Sequence, residues 1–210
     1  SSAMTLRASE VSQPEGWDDD LALAIPQDIN PDPNILEIEL EAKITAMEIV
    51  PGTSTPVWTY GGSLPGPLIK AKVGDRLIVH FKNNLPDSTS IHWHGVRVPN
   101  NMDGVPNVTQ DPVPAGGEFT YDFILRDAGT YWYHYHSGFQ GPDGAIVIEP
   151  KGAVPYAVDR DYVVQLTDKH PHSGHRIMRN LKMMPDYYNR KQQTAVDFFK
   201  DVKRFGFDAA

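Results

Sequence analysis

The chain has 210 residues, of which 40% are hydrophobic and 22% are charged, a size and balance typical of one or two globular domains. Its formal net charge of −8 argues against a nucleic-acid partner, because binding to phosphates needs a basic surface. Cysteine is absent, which excludes disulfides, thiolate catalysis and metal sites with cysteine ligands in this sequence.

Residues 1–34 are predicted to form an irregular N-terminal lead. Pro26, Pro31 and Pro33 interrupt any regular pattern there. Residues 1–10 lack the charged and then apolar segments of a secretory signal, so we expect a protein that is made without one or has lost it. No apolar run in the chain reaches the roughly 18 residues of a transmembrane helix, and we expect no membrane partner.

Residues 35–150 have the pattern of a β domain. Residues 35–42 alternate apolar and acidic side chains with a period of two, which is typical of a half-buried strand. The other predicted strands are residues 44–50, 68–72, 75–82, 90–98, 118–125, 130–135 and 145–148. Short strands joined by turns rich in glycine, proline and asparagine predict an all-β fold, either a Greek-key β-sandwich or a barrel.

Residues 151–210 differ in character from the β domain. Residues 162–166 predict one isolated strand, and apolar side chains at helical spacing predict a short amphipathic helix over residues 194–205. One strand and one helix cannot bury a core of their own. We therefore expect residues 151–210 to be a linker followed by the beginning of a second domain or by an extension packed on the first.

Two His-X-His triplets predict a metal site. The four histidines are His92, His94, His134 and His136. In a strand, side chains two positions apart point to the same face and lie about 6–7 Å apart. If the two strands are neighbours, four imidazoles converge, and burying them without partners would be costly. Imidazole is a ligand for zinc, copper, iron and nickel alike, so the triplets alone leave the metal open.

The sequence around the triplets resembles the first domain of a multicopper oxidase. The matching segments are Ile91-His92-Trp93-His94-Gly95, Met102-Asp103-Gly104-Val105-Pro106, Thr109-Gln110 and Gly129-Thr130-Tyr131-Trp132-Tyr133-His134-Tyr135-His136-Ser137-Gly138. The resemblance covers residues 57–150, and a weaker similarity to bacterial copper-resistance and laccase-like members continues beyond residue 161. It implies that residues 35–150 form a cupredoxin domain.

The resemblance also implies a function. These oxidases take electrons from a reducing substrate, such as a phenol or a metal ion, at a type 1 copper. They reduce O2 to water at a trinuclear cluster of one type 2 and two type 3 coppers. His92 corresponds to a type 2 ligand, and His94 and His134 correspond to ligands of one type 3 copper. His136 corresponds to a ligand of the other type 3 copper, and Asp103 to an acidic residue that assists proton delivery.

The chain departs from the family pattern in its ligand set. A type 1 copper needs a cysteine thiolate, and neither a cysteine nor the family's other four cluster histidines occur here. We therefore expect a fragment that is inactive alone. Its copper sites have only half of their histidine ligands and are expected to be empty or partly loaded with copper. Other cupredoxin domains or a second chain would complete the cluster. The family likeness implies a periplasmic or secreted protein.

Other functions remain open at this point. A mononuclear zinc enzyme of the carbonic-anhydrase kind also uses His-X-His on a strand, but it leaves one triplet unexplained. A cupin-like site expects a carboxylate soon after the first triplet, and residues 96–102 offer none. A copper-binding module without turnover is a third alternative. A further histidine group, His170, His172 and His175, is predicted to be a solvated loop rather than a peripheral metal site.

Overall fold

The computed structural model describes residues 22–136, 141–153, 161–166, 172–189 and 195–205. The strands in these residues are β1 (Ile35–Val50), β2 (Thr53–Tyr60), β3 (Gly66–Lys72), β4 (Arg76–Asn83), β5 (Ile91–His94), β6 (Glu118–Ile124), β7 (Gly129–Tyr135) and β8 (Asp143–Glu149). Two helices follow, α1 (Gly174–Met183) and α2 (Ala195–Phe205). The predicted all-β fold with a short helical C-terminal part is confirmed.

The strands form two four-stranded sheets. The first has the order β2-β1-β4-β6 and the second the order β3-β8-β7-β5. β1 pairs with β4, and β3 with β8, in parallel, whereas the other neighbours are antiparallel. In the described part of the chain β5 pairs with β7 alone, so the strand with the first triplet is a short edge strand.

The long strand β1 joins two predicted strands into one. Its first half, Ile35 to Ala42, pairs with β4, and its second half, Ala42 to Val50, pairs with β2. The two halves therefore have different neighbours and different sequence patterns, although the backbone is continuous. This explains why the pattern of residues 35–42 does not extend through the second half.

The core between the sheets is rich in aromatic rings. Trp93, Tyr60, Tyr121 and Tyr133 are completely buried. The ring centroid of Trp93 lies 5.2 Å from those of Tyr121 and Phe123, in edge-on contacts that aromatic pairs favour. Because Trp93 separates the two histidines of the first triplet, its burial directs both of them to the opposite face of the sheet.

Two buried tyrosines make a matched test of this core. Tyr133 Oη donates a hydrogen bond to the carbonyl oxygen of Pro67 at 2.6 Å, whereas Tyr60 Oη has no hydrogen-bond partner in the described residues. Tyr133→Phe is expected to lower the free energy of unfolding by about 1–2 kcal/mol, because it leaves a buried carbonyl unsatisfied. Tyr60→Phe is expected to cost nothing. Equal losses in urea denaturation of the two variants would contradict this expectation.

The C-terminal residues contain the main differences from the sequence prediction. The chain divides into two compact units, and the second contains α1 and α2. The predicted helix is confirmed by α2, but the strand predicted over residues 162–166 is wrong. A strand needs a neighbour for its ladder, and no described strand pairs with these residues. Neither described helix is long and apolar enough to cross a bilayer.

Candidate metal centre

The antiparallel pairing of β5 with β7 brings the two triplets together. His92 lies directly opposite His134, and Trp93 lies opposite Tyr133. Trp93 and Tyr133 are buried, His92 and His134 are half-buried, and His94 is exposed. The alternation of side chains along each strand thus places the aromatic rings in the core and these histidines on the other face of the sheet.

All four predicted histidines belong to one cluster of rings. The ring centroid of His92 is 5.5 Å from that of His94 and 5.4 Å from those of His134 and His136. The His134 centroid is 5.6 Å from His94 and 5.9 Å from His136. Donor nitrogens of His92, His94 and His134 all lie within 4.8 Å of one another, close enough to share one metal ion. His136 borders this tight group.

Hydrogen bonds fix which nitrogens face the centre of the cluster. His92 Nδ1 lies 2.6 Å from the carbonyl oxygen of Asp103, and His134 Nδ1 lies 3.0 Å from that of Tyr135. A carbonyl only accepts, so Nδ1 of each ring carries the proton and Nε2 keeps its lone pair. His94 Nδ1 lies 3.4 Å from His134 Nε2. Because His134 Nε2 has the lone pair, His94 Nδ1 donates to it, and a metal bound between these rings would replace the proton on His94 Nδ1. The nitrogens that face the centre are thus Nε2 of His92 and His134 and Nδ1 of His94.

Asp103 lies beside His92 and contacts it chiefly through the main chain. Its carboxylate Oδ1 is 3.5 Å from His92 Nδ1, farther than its carbonyl oxygen. A 3-10 turn, Asn100–Met102, ends at Asp103, and Gly104 follows with a φ of 77°. Sequence reasoning selected the Asp103 carboxylate and missed the carbonyl that orients His92. The Asp-Gly turn pattern was the available signal.

Contacts at both ends hold the edge strand β5 in place. At its start, the Ile91 amide donates to Tyr121 Oη at 2.7 Å. Beyond its end, Arg97 forms a two-pronged ion pair with Asp127, with N–O distances of 2.5 and 2.7 Å. The Arg97 guanidinium lowers the pKa of the Asp127 carboxyl, which therefore stays charged. Asp127 lies just before β7, so the pair ties the two histidine-bearing strands together.

Burial lowers the pKa of His134, and the neighbouring histidines act in the same direction. In the metal-free chain we expect His134 to titrate below the ordinary value of about 6.5. The unfolded chain then binds more protons than the folded one, so stability is lost as the pH falls below about 6.5 and through the folded pKa. An NMR titration with thermal unfolding tests this, and a His134 midpoint above the ordinary value would contradict it.

The other histidine group does not assemble a second site in the residues that the structure describes. His170 lies outside those residues. His172 Nδ1 is 3.1 Å from Tyr188 Oη, which also accepts a hydrogen bond from Asn180 Nδ2 at 2.9 Å. His175 is exposed on α1. Among the residues that the structure describes, the β5–β7 cluster is the one group of three side chains that could hold a metal ion.

Comparison with known sequences identifies a family. The family model described as multicopper oxidase matches residues 41–153, more than half of the chain. The copper resistance protein A homolog of Pseudomonas syringae pv. tomato is 40% identical over 192 residues, which are 90% of this chain and 32% of that protein. The multicopper oxidase MmcO of Mycobacterium tuberculosis is 45% identical over 112 residues, 52% of this chain and 22% of that protein.

Solved structures agree with these matches. A multicopper oxidase from Pseudomonas thermotolerans is similar with a TM-score of 0.56 and 43% identity, over 58% of this chain and 31% of that one. A Campylobacter jejuni multicopper oxidase described as a metallo-oxidase has a TM-score of 0.57 and 40% identity, over 62% and 29%. This chain spans about a third of the length of the curated relatives it matches. From its family match, its cupredoxin-like fold and its histidine cluster, we conclude that the chain belongs to the multicopper oxidase family, whose metal is copper.

Proposed function

We propose that this chain supplies four of the eight histidines of a trinuclear copper cluster that reduces O2 to water. His92 binds the type 2 copper, His94 and His134 bind one type 3 copper, and His136 binds the other. The observation that supports this most is the gathering of all four rings, with the His92 centroid 5.5 Å from that of His94 and 5.4 Å from those of His134 and His136. The remaining ligands and the type 1 copper belong to other domains of a longer protein or to a second chain.

The donor set fits copper. Neutral imidazole nitrogens suit this metal, and the two protonated Nδ1 atoms leave Nε2 lone pairs ready for it. When bound, copper supplies the one-electron chemistry that passes electrons from a phenol or a metal ion to O2. The carbonyls of Asp103 and Tyr135 hold the rings of His92 and His134, so neither ring has to change tautomer on binding.

Asp103 is the proton-delivering residue of this proposal. Its side chain is 32% exposed and its carboxylate is 3.5 Å from His92 Nδ1. A carboxyl group that reaches both water and the histidine cluster can take up a proton from solvent and release it near the reacting oxygen. The carbonyl of the same residue orients His92, so one short turn serves both tasks.

A mononuclear zinc centre is the second candidate, because the tightest donor group contains three histidines, as in zinc hydratases. That function leaves His136 without a role. Metal analysis of the chain after equilibration with copper and zinc distinguishes the copper cluster from the zinc centre. We expect that no zinc is retained and that any metal bound at the cluster is copper, whereas a single zinc with CO2 hydration would favour the second candidate.

The domain limits and location belong to the same proposal. Residues 35–150 form the first cupredoxin domain, between the lead of residues 1–34 and a C-terminal part, residues 151–210. That part is a linker followed by the beginning of a second domain or a packed extension. The eight described strands between Ile35 and Glu149 support these limits. The likeness to copper-resistance proteins supports a periplasmic or secreted protein, and cell fractionation tests this.

A chimera tests the proposed function. The matched region of the Pseudomonas syringae protein is replaced by this chain, and O2 consumption with a phenolic reductant is measured. The chimera is expected to consume O2, whereas the chain alone is expected not to. His134→Ala is expected to abolish consumption by the chimera, and His80→Ala is the matched control. Oxygen reduction by the chain alone or by the His134→Ala chimera would contradict the proposal.

A further inference from the structure

Trp132 lies over two of the four histidines. The centroid of its indole ring is 4.2 Å from that of His134 and 4.8 Å from that of His94, each with an interplanar angle of 23°. The strand register explains both contacts. Trp132 is two residues before His134 on β7 and lies directly opposite His94 on β5. One indole therefore stacks on an imidazole of each triplet.

The surroundings of His94 make this stack important. His94 is an exposed side chain on an edge strand. Among the described residues its ring contacts are with His92, His134 and Trp132. Trp132 is the one member of this set that is not itself a proposed copper ligand. In the metal-free chain it is therefore the neighbour best placed to hold the orientation of the His94 ring.

Trp132 is not a component of the hydrophobic core. Its side chain is 40% exposed, whereas Trp93 on the neighbouring strand is 0% exposed. The buried core cluster and the side chains packed against it include Trp93 and Tyr133 but not Trp132. Packing of the sandwich therefore does not explain a large aromatic side chain at this position. The aromatic contacts of Trp132 are with the imidazole rings of His94 and His134. We therefore relate the role of this side chain to the histidine cluster.

We propose that Trp132 is a positioning residue for copper binding, acting through His94 and His134. This inference rests on the proposed function of the cluster. Stacking restricts rotation of both rings, so less conformational freedom is lost when they bind a metal. The electron-rich face of the indole also attracts positive charge, and an imidazole bound to copper is more positive than a free one. Both effects favour the metal-bound state.

The test compares Trp132→Leu, which removes the stack, with Trp132→Phe, which keeps a smaller one. Cu(II) affinity of the full 210-residue chain is measured by isothermal titration calorimetry, with electron paramagnetic resonance of the bound ion. Trp132→Leu is expected to weaken binding about tenfold, the effect typical of losing a group that supports a metal ligand. Trp132→Phe is expected to restore most of the affinity. The control is Ile124→Ala, at an exposed apolar side chain on β6, which should leave binding unchanged.

A second readout does not depend on copper. In the metal-free chain, NMR is expected to show that Trp132→Leu removes the ring-current shifts of the His94 and His134 ring protons and increases the mobility of these rings. Wild-type affinity and spectrum in Trp132→Leu, or unchanged ring orientation by NMR, would overturn the inference. Failure of the chimera to consume O2 would instead refute the proposed function, and the NMR comparison on the metal-free chain would still decide the role of Trp132.

Discussion

Replacing His134 by alanine is expected to lower the Cu(II) affinity of the chain by about 100-fold or more, since loss of a group that only supports a ligand already costs about 10–100-fold. His134 is central to the cluster because its ring contacts those of His92, His94 and His136. Its removal takes a nitrogen from the tight donor group and a neighbour from every other ring. Isothermal titration calorimetry with copper analysis of the dialysed chain measures the loss.

His80→Ala is the matched control for this prediction. His80 is on β4, where its Nε2 lies 2.7 Å from Glu37 Oε1 and its Nδ1 lies 3.2 Å from Thr120 Oγ1. These contacts lie on the outer face of the other sheet, so removal of this imidazole is expected to leave the copper affinity unchanged. An equal loss of copper affinity in His134→Ala and His80→Ala would mean that copper binds to histidines non-specifically and not at the β5–β7 cluster.

Gly104→Ala is expected to lower the free energy of unfolding by about 3 kcal/mol or more, and to disturb the metal centre as well. Gly104 has a φ of 77°, a conformation that L side chains rarely adopt. A Cβ atom there would also overlap the carbonyl group of Ile91 and crowd the amide of His92, both of them main-chain groups that cannot rotate away. The adjacent Asp103 carbonyl would then lose its position at His92 Nδ1.

Gly116→Ala distinguishes the two expected causes of the stability loss in Gly104→Ala, which are the backbone strain and the steric overlap with Ile91. Gly116 has nearly the same φ, 76°, but a Cβ atom there would meet nothing within 4 Å. Its substitution is expected to cost only the backbone strain of about 1 kcal/mol and to leave copper binding unchanged. Urea denaturation and copper titration of both variants measure the difference. Equal destabilisation of the two would show that the close approach of Gly104 to Ile91 is unimportant.

The sequence was sufficient to predict that His92, His94, His134 and His136 lie close together, and their role as metal ligands stays a prediction. The strand period of two and the aromatic residues between the histidines determine which face each triplet occupies, and both features are local. The carbonyl of Asp103 and the indole of Trp132 were not predictable in the same way. Their roles depend on a turn that brings residue 103 against residue 92, and on the register that sets Trp132 opposite His94.

Some strands were predicted correctly and others were not, also because some depend on local sequence and others on a pairing partner. Strong alternation predicted the first half of β1, whereas β2 contains Pro56 and several hydroxyl side chains and was missed. Strand β2 forms because it pairs with β1 from Thr53 to Tyr60. Residues 162–166 show the converse, a strand-like sequence without a ladder partner among the described residues. Pairing partners decide such segments, and local sequence does not reveal them.

Anomalous diffraction at the copper absorption edge, from crystals of the copper-loaded chain, locates any bound copper relative to the four histidines. The proposal predicts copper peaks within bonding distance of Nε2 of His92 and His134, of Nδ1 of His94 and of a ring nitrogen of His136. Peaks at His172 or His175 with none between β5 and β7, or coordination through Nδ1 of His92, would contradict this account of the site.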